Sequence, residues 1–188
     1  MKMRKIALVA LLTAGAVAPV RASAESRFTV LASGGVLRHT DSDYRDLYGS
    51  TVFYPELAFR AVFYRDIFAW AGFGFFSGSG KTELLGYDAE TSRNILSLGV
   101  GTRLRLAEAL FAVGDIGLCR FGYRETAMEM EVKGSAIGFR LDAGLAYDLT
   151  KSLSVEARFG YLSGSDEFEG ESFKLGGVLG SLAVGLRF

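Results

Sequence analysis

The last eight residues of the chain alternate strictly between two kinds of side chain. Leu182, Val184, Leu186 and Phe188 share one parity, while small or charged residues occupy the other. A two-residue period is that of a β-strand, whose successive side chains point to opposite faces. Bulky apolar groups on one face and small or charged groups on the other are typical of a strand between hydrocarbon and a polar interior. The pattern therefore predicts a transmembrane β-barrel that ends on a strand.

The other end of the chain has the features of a secretory signal peptide. Residues 2–5 carry three positive charges, an apolar stretch follows, and Ala-Ser-Ala before Glu25 is a small-residue cleavage site. A membrane anchor is the competing interpretation. The apolar stretch is shorter than the ~20 residues that a spanning helix needs, and Arg21 interrupts its end. We therefore predict a signal peptide over residues 1–24 and a barrel domain over residues 25–188.

The remaining composition limits the partners and the architecture. Removing the predicted signal peptide leaves 164 residues with 17 basic and 21 acidic side chains, since four of the 21 basic residues and none of the acidic ones lie in it. A formal charge of −4 argues against binding to nucleic acid. The length suits one barrel of about eight strands with its loops. Cys119 is the only cysteine, so the chain forms no internal disulfide.

Short polar turns recur at nearly equal intervals. They lie near residues 65–66, 107–108 and 150–151, and longer polar segments lie between them. Each interval fits one hairpin and one long loop. Short turns at one end and long loops at the other are typical of outer-membrane barrels, with the short turns on the periplasmic side. We predict an all-β, eight-stranded antiparallel up-and-down transmembrane β-barrel. The predicted strands are 27–38, 51–64, 67–77, 93–106, 110–124, 135–149, 153–162 and 175–188.

Charged residues in these strands fall on the face opposite to the bulky apolar residues. In the sixth strand, Arg140 and Asp142 alternate with Phe139 and Leu141. A charge on the lipid face would cost about 2 to 4 kcal/mol near the midplane, so the charged face points into the barrel. The interior of an eight-stranded barrel is just wide enough for side chains to fill, which disfavours an open pore. The residues predicted to form an interior ion-pair network are Glu56, Arg60, Arg103, Arg105, Asp115, Arg140, Asp142, Glu156, Arg158 and Arg187.

This network has two interpretations. The first is a structural plug, in which buried acids and bases neutralise one another. The second is a proton or ion path through the barrel. The pattern favours the plug. Strand pairing leaves open which acid meets which base.

In two of the predicted strands, charged and bulky apolar residues do not separate onto opposite faces in this way. The third strand carries no charge, so its facing stays open. In the fifth strand, Asp115 faces inward, and Phe121 and Tyr123 then also face inward unless the parity changes. A β-bulge near Cys119 and Arg120 would supply that change. The residues predicted to lie in interfacial aromatic girdles are Trp70, Tyr123, Tyr147 and Tyr161.

Over the whole mature chain, the signal peptide, the alternating strands and the short turns resemble the small outer-membrane barrels of the OmpA/OmpX type. Phe188, two residues after Leu186, also looks like the terminal signal by which such barrels are recognised for insertion. The resemblance implies a monomer in a Gram-negative outer membrane, in contact with lipid, lipopolysaccharide and the barrel insertion machinery. Members of the group serve as structural barrels, adhesins or resistance factors, and a few unrelated barrels of similar size are lipid A-modifying enzymes.

We predict a structural or surface-interaction protein that contacts an extracellular partner through its projecting strands and acidic loops. We expect no catalytic residue, cofactor or dedicated metal site, although carboxylates suit hard cations.

Two alternatives stay open. A lipid A-modifying enzyme would use His39, the only histidine, beside Asp41 and Ser42 at the outer end of the first strand. A soluble periplasmic barrel of lipocalin type would line a ligand cavity with its apolar face and turn its charged face to water.

Overall fold

The computed structural model describes residues 28–81, 87–127, 130–168 and 170–188. Eight of the strands in these ranges form one closed antiparallel barrel, and two short strands form a separate hairpin. The predicted signal peptide lies outside the described residues. The barrel strands are β1 (Phe28–His39), β2 (Thr51–Tyr64), β3 (Ile67–Lys81), β4 (Asp88–Arg105), β5 (Leu110–Ala127), β6 (Met130–Asp148), β7 (Leu153–Ser163) and β10 (Gly177–Arg187). The other elements are the helix α1 (Ser42–Tyr48) and the hairpin strands β8 (Ser165–Phe168) and β9 (Glu171–Lys174).

The first and last strands close the barrel. β1 pairs with β10 from Thr29 opposite Arg187 to His39 opposite Gly177, and it pairs with β2 on its other side. The backbone N–H of Phe188 donates to the carbonyl oxygen of Phe28 at 3.0 Å. The other strands pair with their sequence neighbours, which is an up-and-down topology. The prediction of an eight-stranded antiparallel barrel is confirmed.

A continuous apolar belt covers the outside of the barrel. Its side chains come from alternate positions of the strands, as the two-residue period requires, and they are exposed although they are large and hydrophobic. On β4, for example, Leu96, Leu98, Val100 and Leu104 all face outward. The prediction that the bulky apolar face points outward is therefore right, and the lipocalin-type alternative, which needs that face to line a cavity, is wrong. Towards the end of the barrel that carries the long loops, the belt ends at Val36, Phe53, Phe75, Leu96, Leu118, Ile137 and Tyr161.

The two ends of the barrel differ in length. At the turn end, two to four residues separate β2 from β3, β4 from β5 and β6 from β7. At the loop end, the β2–β3 ladder stops at Glu56 opposite Gly74, whereas the β3–β4 ladder continues to Lys81 opposite Asp88. The β5–β6 ladder likewise reaches Ala127 opposite Met130. The outer parts of β3, β4, β5 and β6 therefore form a four-stranded extension, the protruding sheet, which rises beyond the belt.

The protruding sheet corrects several predicted strand bounds. Residues 78–92 had the composition of a loop, but β3 runs on to Lys81 and β4 begins at Asp88. Beyond the belt the outward face of a strand contacts water instead of hydrocarbon, and a polar residue such as Arg93 also occurs on the inward face. The apolar alternation that marks a membrane strand is therefore lost while the ladder continues.

The helix α1 follows β1 at the loop end. The Asp41 side chain caps it by accepting a hydrogen bond from the backbone N–H of Tyr44 at 2.9 Å. Its other carboxylate oxygen accepts from the backbone N–H of Lys174 at 2.9 Å, which ties α1 to the β8–β9 hairpin. Gly49 ends the helix with a φ of 91°, a conformation that favours glycine. No helix in the described part of the chain is long and apolar enough to cross a membrane.

Strand β5 has no bulge, contrary to the prediction. Its pairing with β4 and with β6 runs without a register shift through Cys119 and Arg120. Phe121 and Tyr123 therefore face into the barrel with Cys119, and all three are buried. The prediction assumed that bulky aromatic residues must face lipid, but at this level the interior is apolar and both rings pack within it.

The predicted aromatic girdles are half right. Tyr147 and Tyr161 face outward, with 49% and 38% of their surface exposed. Trp70 and Tyr123 lie inside the barrel and are buried. The parity of β3 explains Trp70, because its even-numbered residues face inward.

A charge placed in the middle of the belt tests the membrane-facing wall. Val100→Arg should lower the free energy of unfolding in lipid vesicles by about 2 to 4 kcal/mol, because the guanidinium would face hydrocarbon. Asn94→Arg, on the same face of β4 but beyond the belt, should change it by at most about 1 kcal/mol. Urea titration of both variants measures the difference. Equal losses would contradict the assignment of the belt.

Candidate functional site: the ion-paired interior

Arg140 on β6 is the centre of the barrel interior. Its Nη1 and Nη2 donate to Oε1 and Oε2 of Glu56 on β2 at 2.5 and 2.9 Å. Its Nε donates to Oδ2 of Asp142 at 2.5 Å. Arg140 and Asp142 lie two residues apart on one strand, so the period of two places both on the inner face. One guanidinium thus holds two carboxylates, and all three side chains are buried.

A second two-pronged pair crosses the barrel beside it. Nη1 and Nη2 of Arg60 on β2 donate to Oε1 and Oε2 of Glu156 on β7 at 2.6 and 2.8 Å. Both side chains are buried. The planar guanidinium matches the two oxygens of a carboxylate, which makes such pairs the stronger and more directional kind.

The third pair balances two acids that face each other. Asp115 on β5 lies directly opposite Asp142 on β6 in the register. Two buried carboxylates at neighbouring positions repel each other unless each has a cation. Arg158 on β7 donates to Asp115, and Arg140 serves Asp142. We call the seven residues of these three groups the ionic core: Glu56, Arg60, Asp115, Arg140, Asp142, Glu156 and Arg158.

A smaller group lies nearer the turn end. Arg103 on β4 and Arg187 on β10 both donate to the carboxylate of Asp148 on β6. Asp148 has the same parity on β6 as Arg140 and Asp142, but the predicted network did not include it.

Aromatic rings and glycines make room for the charges. The guanidinium carbon of Arg60 lies 4.8 Å from the ring centre of Phe68, and that of Arg140 lies 5.3 Å from Trp70. A side chain at Gly72 would come within 2.5 Å of Glu56, so this position on β3 must stay small. The sequence left the facing of β3 open. In the structure its even-numbered residues, which include Trp70 and Gly72, face into the barrel.

An apolar layer separates the ionic core from the loop end. It fills the barrel with side chains from most of the strands, among them Tyr54, Phe76 and Phe121. Its other buried members are Leu37, Ile95, Cys119, Tyr123, Ala136, Leu162, Leu175 and Leu179. A second apolar cluster, formed by Phe68, Trp70, Phe111, Val113 and Ala146, lies on the turn side.

Tyr44 of α1 covers the apolar layer from the loop end. Its ring lies 4.1 Å from the His39 ring and 4.1 Å from the guanidinium carbon of Arg93, measured from the ring centre. Nη2 of Arg93 donates to Oε1 of Glu125 at 3.1 Å. Tyr44, Arg93 and Glu125 were not among the predicted site residues, although the Asp41 cap is a signal for Tyr44 and the alternation of β4 is a signal for Arg93.

His39 does not lie in a catalytic arrangement. It is buried between Tyr44 and Phe76, and neither ring nitrogen has a hydrogen-bond partner among the described residues. Burial lowers the pKa of His39 to about 4, Arg93 acts in the same direction, and Asp41 opposes them. Asp41 is engaged as the helix cap instead. The structure therefore does not bring together the Ser/His/acid group of the enzyme alternative.

Nine of the ten residues predicted for the interior network take part in ion pairs inside the barrel. Arg105 is the exception. It is exposed at the turn end, where its guanidinium carbon lies 5.5 Å from the Phe111 ring centre, and it has no ion pair with a described residue. Within the described ranges, no group of three or more His, Cys, Asp or Glu residues could hold a metal ion.

Comparison with solved structures identifies the architecture. The chain is similar to the crystal structure of Neisserial surface protein A, with a TM-score of 0.67 and 13% identity over 86% of this chain and 97% of that one. It is similar to the outer membrane protein OprG of Pseudomonas aeruginosa, with a TM-score of 0.66 and 12% identity over 87% and 97%. It is also similar to Ail, the attachment invasion locus protein of Yersinia pestis, with a TM-score of 0.56 and 14% identity over 87% of this chain and 99% of that one. No protein-family model and no curated protein sequence matches.

The chain has the fold of the small outer-membrane barrels. The predicted resemblance is confirmed for the fold, and the alignments cover almost the whole of each neighbour. At 12 to 14% identity the likeness extends to the backbone and not to particular residues. What this barrel does must therefore be argued from its own side chains.

Removal of the central cation tests the ionic core. Arg140→Met should lower the free energy of unfolding by about 3 to 5 kcal/mol, because Glu56 and Asp142 would stay buried without their cation. Arg124→Met is the control, since Arg124 forms an exposed ion pair with Glu131 and its loss should cost at most about 1 kcal/mol. The added changes Glu56→Gln and Asp142→Asn should restore part of the stability. Similar losses in the free energy of unfolding for Arg140→Met and Arg124→Met would contradict the proposed contribution of the ionic core to stability.

Proposed function

We propose that the protein is an outer-membrane barrel with a structural or surface-interaction role and a closed polar interior. The observation that carries the proposal is the contrast between its two parts. Paired and packed side chains fill the barrel, while the protruding sheet rises beyond the belt at the loop end. The protein therefore offers a surface rather than a passage.

The protein lies in the outer membrane, where its belt contacts lipid. Its fold is that of outer-membrane barrels, and only helices and closed barrels satisfy their backbone hydrogen bonds in hydrocarbon. Leu186 on β10 and Phe188, directly after that strand, would serve the barrel insertion machinery as the terminal signal. The closed sheet leaves no strand edge within the belt, which supports a monomer surrounded by lipid and lipopolysaccharide.

The stacking of layers inside the barrel supports a closed interior. From the turn end outward, the barrel contains the Arg103–Asp148–Arg187 group, the ionic core, the apolar layer and the Tyr44 cover. A water-filled pore would need a polar path through the apolar layer, where Phe121, Ile95 and Leu162 are fully buried. The plug interpretation of the network is therefore favoured over the ion path.

The protruding sheet is the best candidate for contact with an extracellular partner. Residues 119–127 of β5 lie beyond the belt and amount to about 30 Å of strand. Their ladders with β4 and β6 continue to the tip, so the extension is a regular sheet. The Tyr123 hydroxyl donates to Asp166 at 2.9 Å, which links the sheet to the β8–β9 hairpin. A rigid sheet that rises clear of the lipid suits a binding surface better than a mobile loop does.

Conductance tests the closed interior. In planar lipid bilayers the purified protein should give no stepwise current, because the apolar layer and the ionic core block the barrel. A porin of sixteen strands, inserted under the same conditions, is the positive control. Regular current steps from the wild-type protein would contradict the closed interior and favour the ion path.

A shortened sheet tests the interaction role. Replacing residues 126–131 by Asn-Gly should close β5 and β6 with a tight turn and leave the Arg93–Glu125 pair in place. We expect the variant to fold with an unchanged unfolding midpoint but to lose most adhesion of expressing cells to plastic and to cultured cells. Thr150→Ala, a change in a turn at the other end, serves as the control. Unchanged adhesion and unchanged detergent resistance of the cells would count against a role for the sheet.

A further inference from the structure

Three cations lie on the outer wall of the barrel just beyond the apolar belt. Arg120 follows Leu118 in the outward-facing row of β5, and Arg124 continues that row. Lys133 on β6 lies directly opposite Arg124. All three side chains are exposed. The wall of β5 and β6 therefore changes from hydrocarbon-like to cationic within one step of the strand.

Acids only partly neutralise these cations. Nε of Arg124 lies 3.0 Å from Oε1 of Glu131, and Nζ of Lys133 lies 2.9 Å from Oε2 of the same carboxylate. Arg120 contacts the hydroxyl of Ser135 at 3.4 Å and has no acid partner within the described ranges. Two of the three cations thus share one carboxylate, and the cation nearest the belt, Arg120, has no acid partner among the described residues.

A hydroxyl-lined groove adjoins the cations. It has a volume of about 360 Å³ and lies across the outward faces of β3, β4 and β5. Its lining includes Ser77, Ser79, Ser92, Thr126, Arg124 and Glu90. Hydroxyls both donate and accept hydrogen bonds, Arg124 donates and Glu90 accepts. This mixture of donors and acceptors suits the hydroxyl groups of a sugar.

The apolar belt, the cations and the groove follow one another along this wall, and together they match one kind of molecule. Leu96 and Ile137 lie directly across from Arg120 on the neighbouring strands, where they would contact acyl chains. The cations beyond them suit phosphate, since arginine binds phosphate through paired, charge-assisted hydrogen bonds. The groove beyond the cations suits a sugar. We propose that this wall binds the phosphorylated sugar headgroup of a glycolipid in the outer leaflet.

A bound phosphate would also lower the free-energy cost of placing Arg120 on the outer wall. An arginine on the lipid face costs about 2 to 4 kcal/mol at the midplane and about 0 to 1 kcal/mol near the interface. A lipid phosphate at this level would supply the acid partner that none of the described residues provides for Arg120. The inference rests on the proposed membrane location, because a glycolipid reaches this wall only when the belt lies in a bilayer.

The opposite wall offers a matched control. Arg38 faces outward on β1, two residues beyond the belt residue Val36, just as Arg120 lies two residues beyond Leu118. β1 and β5 are on opposite sides of the eight-stranded barrel. Arg38 is the one cation in the outward row of β1, and its partners in the register are Thr51 and Val178.

The experiment is a titration of the full mature barrel in phosphatidylcholine nanodiscs with purified bisphosphorylated lipid A. Binding should be at least about tenfold tighter than to dephosphorylated lipid A or to phosphatidylglycerol. The variant Arg120→Ala/Arg124→Ala/Lys133→Ala should lose about tenfold or more in affinity, and Arg120→Gln alone should lose part of it. Arg38→Ala should stay within about twofold of the wild type. Native mass spectrometry gives the lipid count, and circular dichroism confirms that each variant keeps its sheet.

Each contrary result has a distinct meaning. Equal binding of phosphatidylglycerol would overturn recognition of the sugar, and equal binding of dephosphorylated lipid A would overturn recognition of the phosphate. Unchanged affinity in the folded triple variant, or an equal loss in Arg38→Ala, would overturn the assignment to this wall. A wild-type protein that stays in solution without entering the nanodisc would instead contradict the membrane location on which the inference rests.

Discussion

The pairing of the first strand with the last is the constraint on which the rest of the structure depends. In hydrocarbon an unpaired backbone N–H or C=O costs several kcal/mol, so the sheet must close on itself. β1 and β10 meet that requirement by pairing along the whole length of β1. Closure with eight strands also fixes the width of the interior, and that width is small enough for side chains to fill it. The outer apolar belt and the packed core are thus two consequences of one closed ladder.

The narrow interior in turn explains why its charges occur in groups. A buried ion loses several kcal/mol of hydration, and a good partner can offset this only when the geometry is close. Arg140 and Arg60 each make a two-pronged contact with a glutamate across the barrel, and Arg140 also holds Asp142. These contacts join β2 to β6 and β2 to β7, strands that are not neighbours in the sheet. The ionic core therefore connects opposite walls, as a hydrophobic core does in a soluble domain.

Sequence patterns predicted the fold and the inward face of the charged strands, because a charge on the lipid side is costly and the period of two is strict. The sequence patterns failed at uncharged residues, because the cost of a charge on the lipid side does not decide which way these residues face. The part of β3 within the belt has no charge, so its facing depends on Trp70 and its glycines, which fit around partners on β2 and β6. The inward Phe121 and Tyr123 were misread because aromatic residues suit both lipid and an apolar interior. The protruding sheet was missed because polar residues on both faces look like a loop. The pairing of each acid depends on distances across the barrel, which a single strand does not encode.

The most direct test of this account is the gel mobility of the protein extracted from outer membranes, with and without boiling in SDS. A closed barrel with an ion-paired interior should resist SDS at room temperature and migrate faster before boiling than after it. A single unshifted band, with the protein recovered in the soluble periplasmic fraction, would contradict both the closed membrane barrel and the location of its belt in lipid.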